Sequence, residues 1–408
     1  DTDVPSNFSV RGDFAFLKPG APKRIELEGE ATSYVDDFEG SQIPLEIKTM
    51  QQWHLSSTPQ YQTQFDFGGN NSDLSYGYKR AKLAWYIIDP LFYGGSSLKP
   101  SNITNSELSR AEVRRIRYEE LFPEQDLDLT QSTIVRTLDL AYYPHERGSY
   151  NFDTSNVGPD GKFIDPEERW AGITRALTTT NFEQSNVEYI QFWLMDPYDH
   201  YSITNEEGLP IGLNPSDPSN QVGELYLNLG NISEDVLKDG RKMYENGLPE
   251  DALSINNTAP TIWGKIPTNQ SLLYAFSDQD NERLNQDIGF DGLNDEEELQ
   301  LFGTAFGNDP SNDNYTYFRS SEYDAADASI LTRYKKFNNT QGNSPTNNLS
   351  PESYPTSATT YPDTEDIDKD QTMNSVESYY QYKAVSYTHL TLPTRCHRCR
   401  SRWAAAHG

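Results

Sequence analysis

Apolar residues in this 408-residue chain fall in short runs. Most alternate with polar residues or are apolar throughout, and few recur every third or fourth position. Such runs predict strands, because successive strand side chains point to opposite faces. Residues 187–195 are apolar or aromatic at nearly every position and end at Asp196 and Pro197, which predicts a strand buried on both faces. In "GELYLNLG", residues 223–230, Leu225, Leu227 and Leu229 alternate toward one face. Two stretches break the pattern. "SELSRAEVRRIRYEELFP", residues 106–123, predicts a helix with a capping box at Ser109 and Glu112 and a stop at Pro123. "SEDVLKDGRKMYENG", residues 233–247, predicts a short helix capped by Ser233 and ended by Gly247.

These elements divide the chain. Residues 1–30 read as a linker with one strand, "RIELEGEA". Residues 31–265 read as a mainly β unit, a jelly-roll β-sandwich like the galactose-binding modules, with a long, partly helical insertion over about 55–165. Residues 266–384 are rich in Asn, Asp and Ser and read as a loop-rich acidic region. Residues 385–408 differ from everything before them. They contain no Asp or Glu, four Arg, and both cysteines, Cys396 and Cys399, with His389, His397 and His407. "SYTHLTLPT" resembles translated sequencing-adapter read-through, so the tail is set aside as artefact. The zinc or redox reading that "CHRC" invites goes with it.

Formal net charge is -29, and 12% of residues are aromatic. An acidic surface of this kind repels nucleic acid and attracts divalent cations. The aromatics separate the chain from disordered acidic sequences, which have few. The chain begins at Asp1 rather than Met, so its N-terminus reads as cut. No apolar run reaches the roughly 18 residues of a transmembrane helix, whereas a barrel strand is weakly marked and escapes such a search.

Candidate chemistry lies in two acidic loops. In "DIDKDQTMNSVE", Asp366, Asp368, Asp370, Thr372, Asn374 and Glu377 take positions 1, 3, 5, 7, 9 and 12, the spacing of a calcium loop. Gln371 stands at position 6, where Gly is usual. In "DIGFDGLNDEEE", Asp287, Asp291, Asp295 and Glu298 take positions 1, 5, 9 and 12. Gly292 is at position 6, but position 3 is Gly289, which carries no ligand. Structural calcium is expected at both. A solvated acidic turn has the same composition in a chain with 62 acidic residues. Asp36, Asp37 and Glu39 form a weaker candidate near a first strand. Trp53, Trp170 and Trp193 read as core before they read as a sugar-stacking platform. His54, His145 and His200 stand in no catalytic motif. There is no G-x-S-x-G, P-loop or H-E-x-x-H, so no enzyme is expected.

Several stretches resemble one family in order: "SYVDDFEGSQIPLEI", "SELSRAEVRRIRYEELFP", "LDLAYYPHERGSYNFD", "YIQFWLMDPY", "GELYLNLGNISEDVLKDGRKMYENGLP", "DIGFDGLNDEE", "ILTRYKKFNNTQGNSP" and "DIDKDQTMNSVESYYQYK". They look like the SprA (Sov) family of giant cell-surface proteins of Bacteroidetes. The resemblance implies the outer-membrane translocon of the type IX secretion system, a β-barrel that passes folded cargo to the cell surface and serves gliding motility. It implies as partners the rest of the barrel, a PorV-like outer-membrane protein, a plug protein and secreted cargo. The chain would be an internal fragment, set in the extracellular part capping the barrel, with a periplasmic place second. It implies no catalytic residue. A free calcium-dependent surface module that binds glycan is the alternative.

Overall fold

The strand-forming runs join two by two, and carboxylate side chains do much of the rest. The computed structural model describes residues 46–384 apart from 61, 63, 66–72, 96, 124–126, 179–188, 197, 199–200, 205–207, 209, 215, 218–222, 243–246, 252–256, 270–274, 338–349, 351 and 355–361. It also describes 397–402. All of these residues lie in one structural unit.

In chain order the elements are β1 (His54–Leu55), β2 (Ala81–Tyr86), α1 (Asn105–Leu108), β3 (Ile116–Arg117), α2 (Tyr118–Leu121), β4 (Ile134–Val135), β5 (Asp139–Arg147), β6 (Ile173–Thr174), β7 (Tyr189–Leu194) and β8 (Leu225–Asn231). There follow β9 (Thr258–Pro260), β10 (Lys265–Pro267), α3 (Asp280–Arg283), α4 (Asp295–Phe302), α5 (Ser321–Ala325), α6 (Ile330–Tyr334), β11 (Ser378–Ala384) and β12 (His397–Arg402). The strands form six antiparallel pairs, β1–β6, β2–β5, β3–β4, β7–β12, β8–β11 and β9–β10. The protein is thus mainly β, with small sheets and short helices. Among the described residues no sheet is wider than two strands, so the jelly-roll sandwich expected over 31–265 is not displayed there.

The β2–β5 pair carries the core. Its register jumps between Ala81, opposite Arg147, and Lys82, opposite Tyr143. Pro144 lies in the skipped stretch, where its missing N–H costs no ladder bond. Ala84, Trp85 and Tyr86 are fully buried. Tyr86 stacks on Tyr334 of α6 at 4.4 Å between ring centres, and Phe318 stacks on Tyr334 at 4.9 Å. The Tyr334 hydroxyl accepts the Asp89 N–H at 2.8 Å. The aromatic residues therefore supply the packed interior that the aliphatic content alone would not.

Both predicted helices differ from expectation. Residues 106–123 break into two single turns with a strand between. Thr104, not Ser109, caps α1 by accepting the Glu107 N–H. The β-branched Val113 and Ile116 are buried, and β3 pairs with β4 through Ile116–Val135 and Arg117–Ile134. Burying those two side chains from a strand and turns outweighs a weak helical preference. Within 233–247, the described residues 233–242 are not helical. Glu365 Oε1 accepts the N–H groups of Val236 and Leu237 at 2.8 and 3.1 Å. Asp235 accepts those of Asp239 and Gly240. Donors that a helix would use are thereby claimed by carboxylates.

Of the predicted strands, β7 forms within 187–195 but is not buried on both faces, since Phe192, Trp193 and Leu194 are half-buried. Its partner, β12, comes from the Arg-rich tail. Leu225, Leu227 and Leu229 lie in β8 opposite Ala384, Tyr382 and Tyr380 of β11.

Candidate metal centres

The loop at 287–298 is pinned by apolar side chains between its acidic ones. Ile288, Phe290 and Leu293 are buried, and the Phe290 N–H donates to the Tyr150 hydroxyl at 2.7 Å. Gly292 has φ 68°, and a Cβ there would meet the Lys265 carbonyl oxygen at 2.1 Å. Asn294 then caps α4 in a capping box with Glu297. The start of α4 turns Glu298 back toward the loop.

Asp291, Glu298 and Asp313 come together here, each offering a carboxylate oxygen within 4.8 Å of the others, and all three are buried. Ser311 ties two of them: its hydroxyl donates to Asp291 Oδ2 at 2.5 Å and its N–H to Glu298 Oε2 at 2.9 Å. The Tyr150 hydroxyl donates to Asp313 Oδ2 at 3.2 Å. A second group, Asp295, Glu298 and Asp309, shares Glu298. All of the inner three are pushed up from the usual carboxylate range. Burial is the first cause for each. The Asp291 charge acts next on Glu298, and the Glu298 and Asp291 charges act on Asp313. Carboxylates packed this way repel one another until a proton or a cation enters. Asp287 stands apart, held by Arg283 at 2.8 Å. Asp295 is half-buried, and both its oxygens accept from the Asn314 amide at 3.0 Å.

The loop at 366–377 makes the same bend with another residue. Gln371, at position 6, has φ 68°, and its N–H donates to Asp366 Oδ2 at 2.8 Å. Asp368 Oδ1 accepts the Asp370 N–H, and Asp370 Oδ1 accepts the N–H and hydroxyl of Thr372. Asn374 donates its amide to Asp368 Oδ2 at 3.3 Å. The carboxylate that joins Asp366 and Asp368 is Glu234, from outside the loop, again within 4.8 Å. It accepts the N–H groups of Ile367, Asp368 and Asn374, and burial pushes it up. Asp370, Thr372 and Asn374 are exposed. Glu377 is turned away: its buried side chain accepts the Gln60 N–H at 2.7 Å and lies 3.9 Å from Lys238 Nζ. Lys242 lies 3.4 Å from Asp366 Oδ2.

A third group is Asp235, Asp239 and Glu365. Spacing along the chain missed Asp309, Asp313, Glu234, Asp235, Asp239 and Glu365, because each lies outside the two loops and reaches its group only in the folded chain. The empty third position, Gly289, was the one sign that a ligand had to come from elsewhere. Oxygen-only groups of this kind suit calcium or magnesium rather than a softer metal.

Other candidates resolve simply. Trp53 donates to the Ile47 carbonyl at 2.8 Å, Trp170 packs edge-on against Phe65, and Trp193 against Phe122. All three are half-buried. His54 is pushed down to about 4, first by burial and then by the Lys369 charge. His145 Nδ1 lies 3.4 Å from the Phe163 carbonyl. Asp36, Asp37, Glu39, His200, His389, Cys396 and His407 lie outside the described residues. His397 and Cys399 fall in β12.

The fold and these groups define a mainly β, acid-bracketed protein. Residues 296–394 match the SprA_N family model, described as motility related/secretion protein. That match supports membership of the SprA family. The match takes in Glu298, Asp309, Asp313 and the whole 366–377 loop, and runs on past Ala384. No curated protein matches the chain.

Proposed function

We propose that the chain is a non-catalytic structural part of a giant outer-membrane β-barrel translocon that delivers proteins to the cell surface and supports gliding motility. Its place is the extracellular part capping the barrel, with the periplasmic face second. Its partners are the rest of the barrel, a PorV-like outer-membrane protein, a plug protein and secreted cargo, and nucleic acid is not among them. Structural calcium braces the acidic loops. The observation that carries the reading is the match of residues 296–394 to a motility and secretion family. The grouped buried carboxylates support the calcium. A packed body with acids turned inward suits a rigid cap better than a reaction centre.

Removal of residues 46–384 from the full-length protein in its own cells tests the reading. Secreted cargo at the surface and cell spreading are expected to fall sharply. Secretion and spreading at normal levels would refute the role. The calcium part has its own test, because the chain is expected to melt at a higher temperature with millimolar calcium than with a chelator.

A further inference from the structure

The two loops differ in what already neutralises them. Asp287 has Arg283, Asp366 has Lys242, and Asp309 has Lys336 at 3.5 Å. Asp295 has the Asn314 amide. Among the described residues neither Asp291 nor Glu298 has an ion pair with Lys, Arg or His. Glu298 is fully buried, yet its Oε1 has no hydrogen-bond partner, although Oε2 takes the Ser311 N–H. An unpaired carboxylate oxygen in a site shielded from water is costly.

We propose that a single calcium ion is held by Asp291, Glu298 and Asp313, with Asp313 supplying from outside the loop the oxygen that its third position lacks, and with Asp287 taking no part. This rests on the calcium reading above and names its ligands. Gly289 explains the substitution of one segment for another. A Cβ at Gly289 would lie 2.1 Å from Asp313 Oδ2, and φ there is 76°. The absent side chain is the space through which Asp313 enters. Three carboxylates on a hydrogen-bonded frame form a dedicated protein cage, which favours calcium. Magnesium usually keeps several of its waters instead. The adjoining Asp295 and Asp309 already have their amide and ammonium partners, so one ion is expected at this centre rather than two.

The test uses the purified 408-residue chain, stripped with a chelator and titrated with calcium alone. Asp313→Asn and Glu298→Gln are each expected to remove one bound equivalent, or to weaken it at least tenfold. Asp287→Asn should leave that equivalent in place. Gly289→Ala should behave like Asp313→Asn, because its methyl group displaces the Asp313 carboxylate. Thermal melts give a second readout of opposite sign. With chelator, Asp313→Asn and Glu298→Gln should melt no lower than the unchanged chain, since each relieves carboxylate repulsion. With calcium they should melt lower.

If Asp287→Asn removes the equivalent while Asp313→Asn keeps it, the ligand set is wrong and the calcium reading stands. If the unchanged chain binds no calcium, both fall. If both variants melt lower than the unchanged chain in chelator, or neither folds, the carboxylates serve only as hydrogen-bond acceptors and the proposal is overturned.

Discussion

Position six of the two acidic loops is one backbone conformation carried by two residues. Gly292 and Gln371 both have φ 68°, a region that costs an ordinary L-residue roughly 1 kcal/mol or more. The same exchange should therefore act in opposite directions. Gly292→Ala should destabilise the chain by more than about 2 kcal/mol, because its Cβ also meets the Lys265 carbonyl. Gln371→Gly should be neutral or stabilising by up to about 1 kcal/mol, since the N–H bond to Asp366 survives. Urea unfolding of the two variants separates the cases. His54 gives a pH test. Its folded pKa, about 4, lies below the ordinary 6.5, so the unfolded chain takes up a proton first as pH falls. Its contribution is complete above 6.5 and is lost as pH drops toward 4, on the order of 2–3 kcal/mol. His54→Gln should flatten stability over that window, and an unchanged slope would refute the assignment. At this scale the spacing pointed to two loops in which the structure gathers carboxylates, and missed some of the carboxylates gathered there. Spacing identifies residues that one turn brings together, and it is blind to Asp313 and Glu234, which tertiary packing delivers.

Elements were legible where pairing partners and pattern agreed. The alternation at 225–231 became a strand, and the apolar run at 187–195 became another with less burial than its composition promised. The helix at 106–123 was misread because Val113 and Ile116 find buried places that a continuous helix would not offer. The segment at 233–242 was misread because its capping chemistry was real but its partner was remote. Glu365 performs from 128 residues away what a helical turn would do locally. Glu365→Ala should accordingly cost about 2–4 kcal/mol, since it strands the Val236 and Leu237 N–H groups in a buried place. Glu365→Gln keeps an oxygen and should cost less than half as much. Equal losses in urea unfolding would show that the charge, and not the acceptor, matters.

Across the whole molecule the acidic composition has two destinations. Part of it faces water, and part is drawn inside as acceptors for backbone N–H groups. Glu107 takes the Ile330 N–H, Glu234 takes three from the 366–377 loop, and Glu298 takes that of Ser311. Net charge and acid count were plain in the sequence, but this division was not, because it depends on which amides the small ladders leave unpaired. One of these bonds, from the Gln60 N–H to Glu377, spans 317 residues, and β11 cannot join β8 until residue 384 is present. Closure therefore waits for residues 377–384, since loop-closing contacts of this span are slow and need both ends. A nascent chain stopped before Glu377 should stay open to protease near residue 60, and one extended through Ala384 should become resistant there. The protein thus keeps its own timetable: the stretch around residue 60 waits, unsealed, for a partner made more than three hundred residues later.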